Sequence, residues 1–244
     1  AAGYGSDKAI FGYGRTGSNL SLTNLVNNSG VVAADTTGVG TARWGLGAAN
    51  YGNDKAIFGY GTTGSNSSLT NLVSSSGVVA TDTTGVGTAR YYVAGVSYGG
   101  DKALFAYGYT GSNVSMSNLI SNLGVVSADV TGVGTARGYL AAASYDTDKA
   151  IFGYGYNGSA NLSMSNLVSN NGIVASDVSG VGTARRQLGA AGYGGDKAIF
   201  AYGKAGAFTS IKNLVNSSGV IAADVTGVGT AREAIAAAGY SISA

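Results

Sequence analysis

The chain has 244 residues, of which 11% are charged and 45% hydrophobic, with a net charge of +2, 42 glycines, and no proline, cysteine or histidine. Without cysteine there are no disulfides, thiolate nucleophiles or thiolate metal sites. Without histidine the usual general base, the commonest transition-metal ligand and the physiological pH switch are also gone.

The hydrophobic content is too high for a disordered tail, and the length suits one large all-β domain or two smaller ones; a continuous repeat along the chain argues for a single domain over 1–244. Residues 16–34 are uncharged, but Ser, Thr and Asn interrupt them throughout, so no membrane partner is expected. No basic segment followed by an apolar core opens the sequence, so no signal peptide is read there. The setting is expected to be extracellular or virion-associated.

Asp-Lys-Ala-(Ile/Leu)-Phe-(Gly/Ala)-Tyr-Gly starts at Asp7, Asp54, Asp101, Asp148 and Asp196. Gly-Val-Gly-Thr-Ala-Arg ends at Arg43, Arg90, Arg137, Arg185 and Arg232. The copies run approximately over 1–43, 44–90, 91–137, 138–185 and 186–232, a period of 47 residues with one of 48. Such a period marks a repeat architecture. Within 44–90, Trp44 to Tyr51 is short and rich in small residues, as suits a strand in a crowded place. Asp54 to Gly61 alternates with period two and carries aromatics, a strong β signal. A polar turn at 62–66 leads to a third strand, Ser68 to Val73. Ser74-Ser75-Ser76-Gly77 closes it, and Val78 to Asp82 is the predicted fourth strand. A Gly-rich loop then reaches Arg90.

Four strands in 40–50 residues repeated in tandem make a β-propeller blade. The expectation is therefore an all-β, five-bladed β-propeller with four antiparallel strands per blade. Ala1-Ala2-Gly3-Tyr4 repeats Ala237-Ala238-Gly239-Tyr240. The ring is accordingly expected to close by 233–240 supplying the inner strand of the blade built from 7–37, which would leave no free edge.

The unit resembles a kelch-type repeat. The carriers are Arg90 after a loop, the small-residue strand Val93–Ser97, the apolar strand Ala103–Tyr107, Gly108, and the polar turn Thr110-Gly111-Ser112. Two features depart from the kelch pattern. Gly/Ala-Tyr-Gly replaces the glycine pair, and no Trp stands late in the repeat. The near-identity of the copies also resembles amplified propeller repeats of phage and microbial proteins. The resemblance implies a propeller fold.

The charges inside the repeat cancel, and the excess comes from Arg15, Arg186, Lys204 and Lys212 against Asp146 and Glu233. A nucleic-acid partner would need clustered Lys and Arg well beyond this. The repeated Asp-Lys pairs and Asn24, Asn71, Asn118, Asn166 and Asn213 read as turn and backbone-satisfying residues. Arg43, Arg90, Arg137, Arg185 and Arg232 have two readings: partners of a recurrent Asp such as Asp35, or an anion ring at one mouth of a central channel.

The copies differ mainly in two places. After the recurrent Arg stand Trp44, Tyr91-Tyr92, Tyr139, Arg186-Gln187 and Glu233. In the turn between the second and third strands stand Arg15, Tyr109, Tyr156 and Lys204. An up-and-down blade puts both places on one face. Aromatics with interspersed charges are the usual residues of a recognition surface, so this face is the expected binding site for a protein or glycan. The alternatives are a scaffold without a ligand of its own and an enzyme. The chain poorly meets the requirements of the last, having only Asp146 and Glu233 as acids outside the repeat. No cofactor or metal site is read from it. The chain is expected to be monomeric unless it belongs to a virion or larger assembly.

Overall fold

The computed structural model describes residues 1–239. It is all-β, with five similar antiparallel three-stranded sheets in a propeller-like arrangement. The inner strands are β1 (Ala2–Tyr4), β4 (Gly47–Tyr51), β7 (Ala94–Tyr98), β10 (Ala141–Tyr145) and β13 (Gly189–Tyr193). The middle strands are β2 (Lys8–Arg15), β5 (Lys55–Gly59), β8 (Lys102–Tyr109), β11 (Lys149–Gly153) and β14 (Lys197–Ala201). The third strands are β3 (Asn19–Val26), β6 (Thr70–Val73), β9 (Asn113–Ile120), β12 (Ser165–Val168) and β15 (Lys212–Val215). The small residues of the inner strands line a central cavity of about 300 Å³.

Of the middle strands, β5, β8 and β11 are buried on both faces, because each of their sheets is packed between two others. Phe105 shows how closely they pack. A Cβ on Gly59 of the preceding sheet would lie 2.6 Å from its ring. The Tyr of each Gly/Ala-Tyr-Gly run has φ near +60°, and the register shifts there, between Gly12 and Gly14 and between Ala106 and Gly108. The motif is therefore a β-bulge, which re-aims a side chain and a carbonyl out of the ladder.

Two sequence expectations change. The fourth segment of each repeat forms isolated bridges instead of a continuous strand, for example Thr70↔Thr83 and Val73↔Val79. The cause is local: the Asn71 carboxamide donates to the carbonyl of Ala80 (3.1 Å) and to Asp82 (2.9 Å), interrupting the ladder. Secondly, residues 233–239 do not supply the inner strand of the first sheet. That edge of β2 is taken by β1, with Ala2↔Ile10 and Tyr4↔Lys8 in register. Residues 237–239 instead form a sixth lining segment of the cavity, between β13 and β1. Tyr240, part of the same expectation, lies outside the described residues.

Candidate functional site

Four of the five recurrent Arg side chains lie between successive sheets, not around a channel mouth. Arg43, Arg90, Arg137 and Arg185 are 0% exposed. Arg137 is representative. Its Nε donates to Tyr154 O (2.8 Å), one Nη to Thr135 O (3.0 Å) and the other to Asn166 Oδ1 (2.6 Å). Its guanidinium lies 4.4 Å from the centroid of the Tyr107 ring and 3.8 Å from Asp177. One side chain thus joins the bulge Tyr of its own repeat to the bulge carbonyl, Asn and Asp of the next. An anion ring of Arg43, Arg90, Arg137 and Arg185 is ruled out, since their donors are spent in the wedge and no part of them reaches solvent. Arg232 is exposed, donates to Thr230 O (3.1 Å) and stacks on Tyr202 at 4.0 Å.

The Asp partners are held in the same wedge. Burial alone would raise the carboxyls of Asp82, Asp129, Asp177 and Asp224. Hydrogen bonds from a Thr side chain, an Asn carboxamide and a Thr backbone N–H, helped by the Arg charge, outweigh it and hold them below the ordinary carboxylate value.

The two variable places do share one face. Trp44 bridges Thr62, Tyr91 bridges Tyr109, Gly138 bridges Tyr156 and Arg186 bridges Lys204. The next residues run round the mouth. Tyr92 N donates to Gly45 O (2.6 Å), Gln187 N to Tyr139 O and Ala234 N to Gln187 O (both 2.9 Å). Tyr92, Tyr139, Gln187 and Ala234 all have φ of 55–58°, a left-handed backbone that these residue types adopt only under tertiary constraint.

Five of the expected aromatics form one cluster. Trp44 packs edge-on against Tyr91 (5.6 Å) and Tyr92 (5.5 Å), Tyr91 against Tyr109 (5.5 Å), and Tyr92 lies 3.6 Å from Tyr139 between ring centroids. Burial, and next the neighbouring Tyr139, pushes the Tyr92 phenol well above its usual pKa. Arg15 stands over Trp44 at 5.8 Å. Together with Asn19 and Ser18 on one turn and Thr63 and Asn66 on the next, they line an open groove of about 510 Å³. That is within the roughly 300–1,000 Å³ of small-ligand sites.

Tyr156 and Lys204 are separate from this cluster. Arg186 stacks on Tyr156 at 4.7 Å, and Lys204 lies over Phe208, which is 55% exposed, at 5.5 Å. Glu233 and Arg15, expected in one blade, form no ion pair. Glu233 has a buried carboxylate oxygen that finds no hydrogen-bond partner among the described residues. The polar groove residues Ser18, Asn19, Thr63 and Asn66 were hidden by being ordinary turn residues. Only their position opposite Trp44 distinguishes them.

Among the described residues, no three Asp or Glu side chains cluster to hold a metal, and no helix is long and apolar enough to cross a membrane. Compared with protein-family models and with curated proteins, the chain finds no match in either set.

Proposed function

We propose that the chain is a non-enzymatic binding module of propeller-like build, kelch-like in its repeat pattern, that recognises a glycan through the aromatic mouth. The observation that carries this is the Trp44 groove. An indole face, a cation and several amide and hydroxyl groups converge there on one open concavity. Aromatic faces stack on the apolar side of a sugar ring, while Asn19, Asn66 and Thr63 offer donors and acceptors to its hydroxyls. Arg15 adds selectivity for a carboxylated sugar over a neutral one.

The groove is specific to the junction of the first two repeats, since no other repeat has Trp at that position. One ligand per chain is therefore expected, not five. Glycan-array screening followed by calorimetry on Trp44→Ala and Arg15→Ala tests this. Loss of a specific signal in both variants, with unchanged thermal midpoints, supports the groove. No signal on any glycan, or a signal indifferent to both substitutions, overturns it.

A further inference from the structure

The inner segments are related by one repeated step. A Cβ placed on Gly192 would lie 3.0 Å from Ser144 O of the preceding repeat. One on Gly239 would lie 3.1 Å from Gly192 O, and one on Gly3 would lie 3.6 Å from Gly239 O. The backbone at 234–239 therefore follows β13 as β13 follows β10, and β1 follows it in turn. Among the described residues, six inner positions surround the axis, and five of them carry a middle and a third strand.

The surfaces on either side of the sixth position are those that are buried elsewhere. On the side of the fifth repeat, Tyr193 is 40% exposed and Leu214 36%, whereas Tyr4, Tyr51, Tyr98 and Tyr145 are buried. Bulge tyrosines Tyr13, Tyr60, Tyr107 and Tyr154 each meet the Phe of the following sheet at 5.3–5.4 Å, but among the described residues Tyr202 meets no aromatic ring. On the side of the first repeat, Phe11 and Asn24 are only half-buried and Asp35 is exposed. Asp35 accepts from Asn24 (2.8 Å), and among the described residues neither Thr230 nor Arg232 reaches it.

We infer that the sixth position is a docking slot for one further blade with the chemistry of this repeat, entering as a hairpin that pairs with the backbone of 235–239. Its Asn, Asp and bulge carbonyl would receive Arg232 and Thr230. Its own Thr and Arg would fill Asp35, Asn24 and the Tyr13 carbonyl. An intact second copy of the chain does not fit: the slot requires both faces of one blade, and each terminal repeat of a folded copy has only one face free.

The test adds a peptide spanning residues 101–137, which carries Phe105, Tyr107, Asn118, Asp129, Thr135 and Arg137, to the whole chain. One-to-one saturable binding with a raised thermal midpoint is expected, and Arg232→Ala and Asp35→Asn should each weaken it at least about tenfold. A second arm appends the same segment to the C-terminus, where a raised midpoint insensitive to added peptide is expected. The inference is overturned if neither arm raises the midpoint. It is also overturned if Arg232→Ala destabilises the unmodified chain as much as Arg137→Ala, since the seam would then be closed by the chain itself.

Discussion

Arg137 and Arg232 end the same six-residue motif, yet one is sealed between two sheets and the other faces solvent. The difference shows that the repeat does not stabilise itself locally. Every strong polar contact of Arg137 outside its own loop belongs to the following repeat: Tyr154 O and Asn166 Oδ1. The repeat is half of an interface, and stability resides in the junctions, as expected of a nearest-neighbour array.

The largest consequence follows directly. Arg137→Ala removes a buried cation and strands two buried acceptors, and should cost about 3–5 kcal/mol. Arg232→Ala should stay within about 0.5 kcal/mol, as for an exposed side chain. Urea unfolding of the two variants measures both. Equal losses would mean that the two environments are alike in solution.

Asn118 and Asn24 give a smaller version of the same contrast. Asn118 is fully buried, accepts from Arg90 (2.6 Å) and donates to Ser127 O (3.0 Å) and Asp129 (2.9 Å). Asn118→Leu leaves these groups without partners, at about 1–3 kcal/mol for each one left buried. Asn24 keeps the two bonds to its own repeat, Ala33 O and Asp35, but receives no Arg. Asn24→Leu should therefore cost less than Asn118→Leu by roughly the worth of one charge-assisted bond, 1.5–3 kcal/mol at most. A Leu at 24 that is as damaging as one at 118 would show that the Arg contact contributes nothing.

How much of this could be read in advance depended on the range of the interaction. The five copies, the strand order inside each and the shared face of the two variable places all follow from period and alternation, which are local. The role of the Arg was only half legible. An Arg–Asp pair was one of two readings, but the same-repeat Asp35 was the wrong scale for Arg43. Its actual neighbour is Asp82, one period on, at 3.6 Å. Gly-Tyr-Gly as a bulge with a positive-φ Tyr was not legible, because no propensity favours Tyr there and tertiary packing imposes it. The seam was misread for a related reason. The echo of Ala1–Tyr4 in Ala237–Tyr240 fits a shared blade and an additional inner position equally well in sequence. Only the pairing of β1 with β2 separates them.

Titration should separate closed junctions from the open seam as well. Asp82, Asp129, Asp177 and Asp224 have carboxyl pKa values held below the ordinary one in the folded state. The unfolded chain therefore binds protons more readily at acid pH. Their contribution is complete above the usual carboxylate range, near pH 4, and is lost as pH falls through and below it. At the other extreme burial pushes Tyr60 and Tyr107 up to about 12. Stability from these is present below pH 10 and declines as pH rises toward 12. Thermal midpoints measured from pH 2 to 12 should fall on both sides. Asp129→Asn should flatten the acid limb, and Tyr107→Phe the alkaline one.

The smallest effect bears on the least ordinary segment. Ala234 has φ of 56° and donates to Gln187 O at 2.9 Å, as Gln187 does to Tyr139 O. Ala in a left-handed backbone is strained, and Gly is not. If residues 233–239 hold the sixth inner position in solution, Ala234→Gly relieves that strain and should stabilise the chain by up to about 1 kcal/mol. If the segment instead leaves the mouth, the folded state holds no strain to relieve, and Gly only adds freedom to a segment that is already free. The midpoint would then stay where it is. Gln187→Gly is the control: it shares the conformation (φ 55°) but lies in a repeat with both strands present. A gain at 187 without one at 234 would place the boundary of the ordered ring between them, and with it the edge on which a sixth blade could pair.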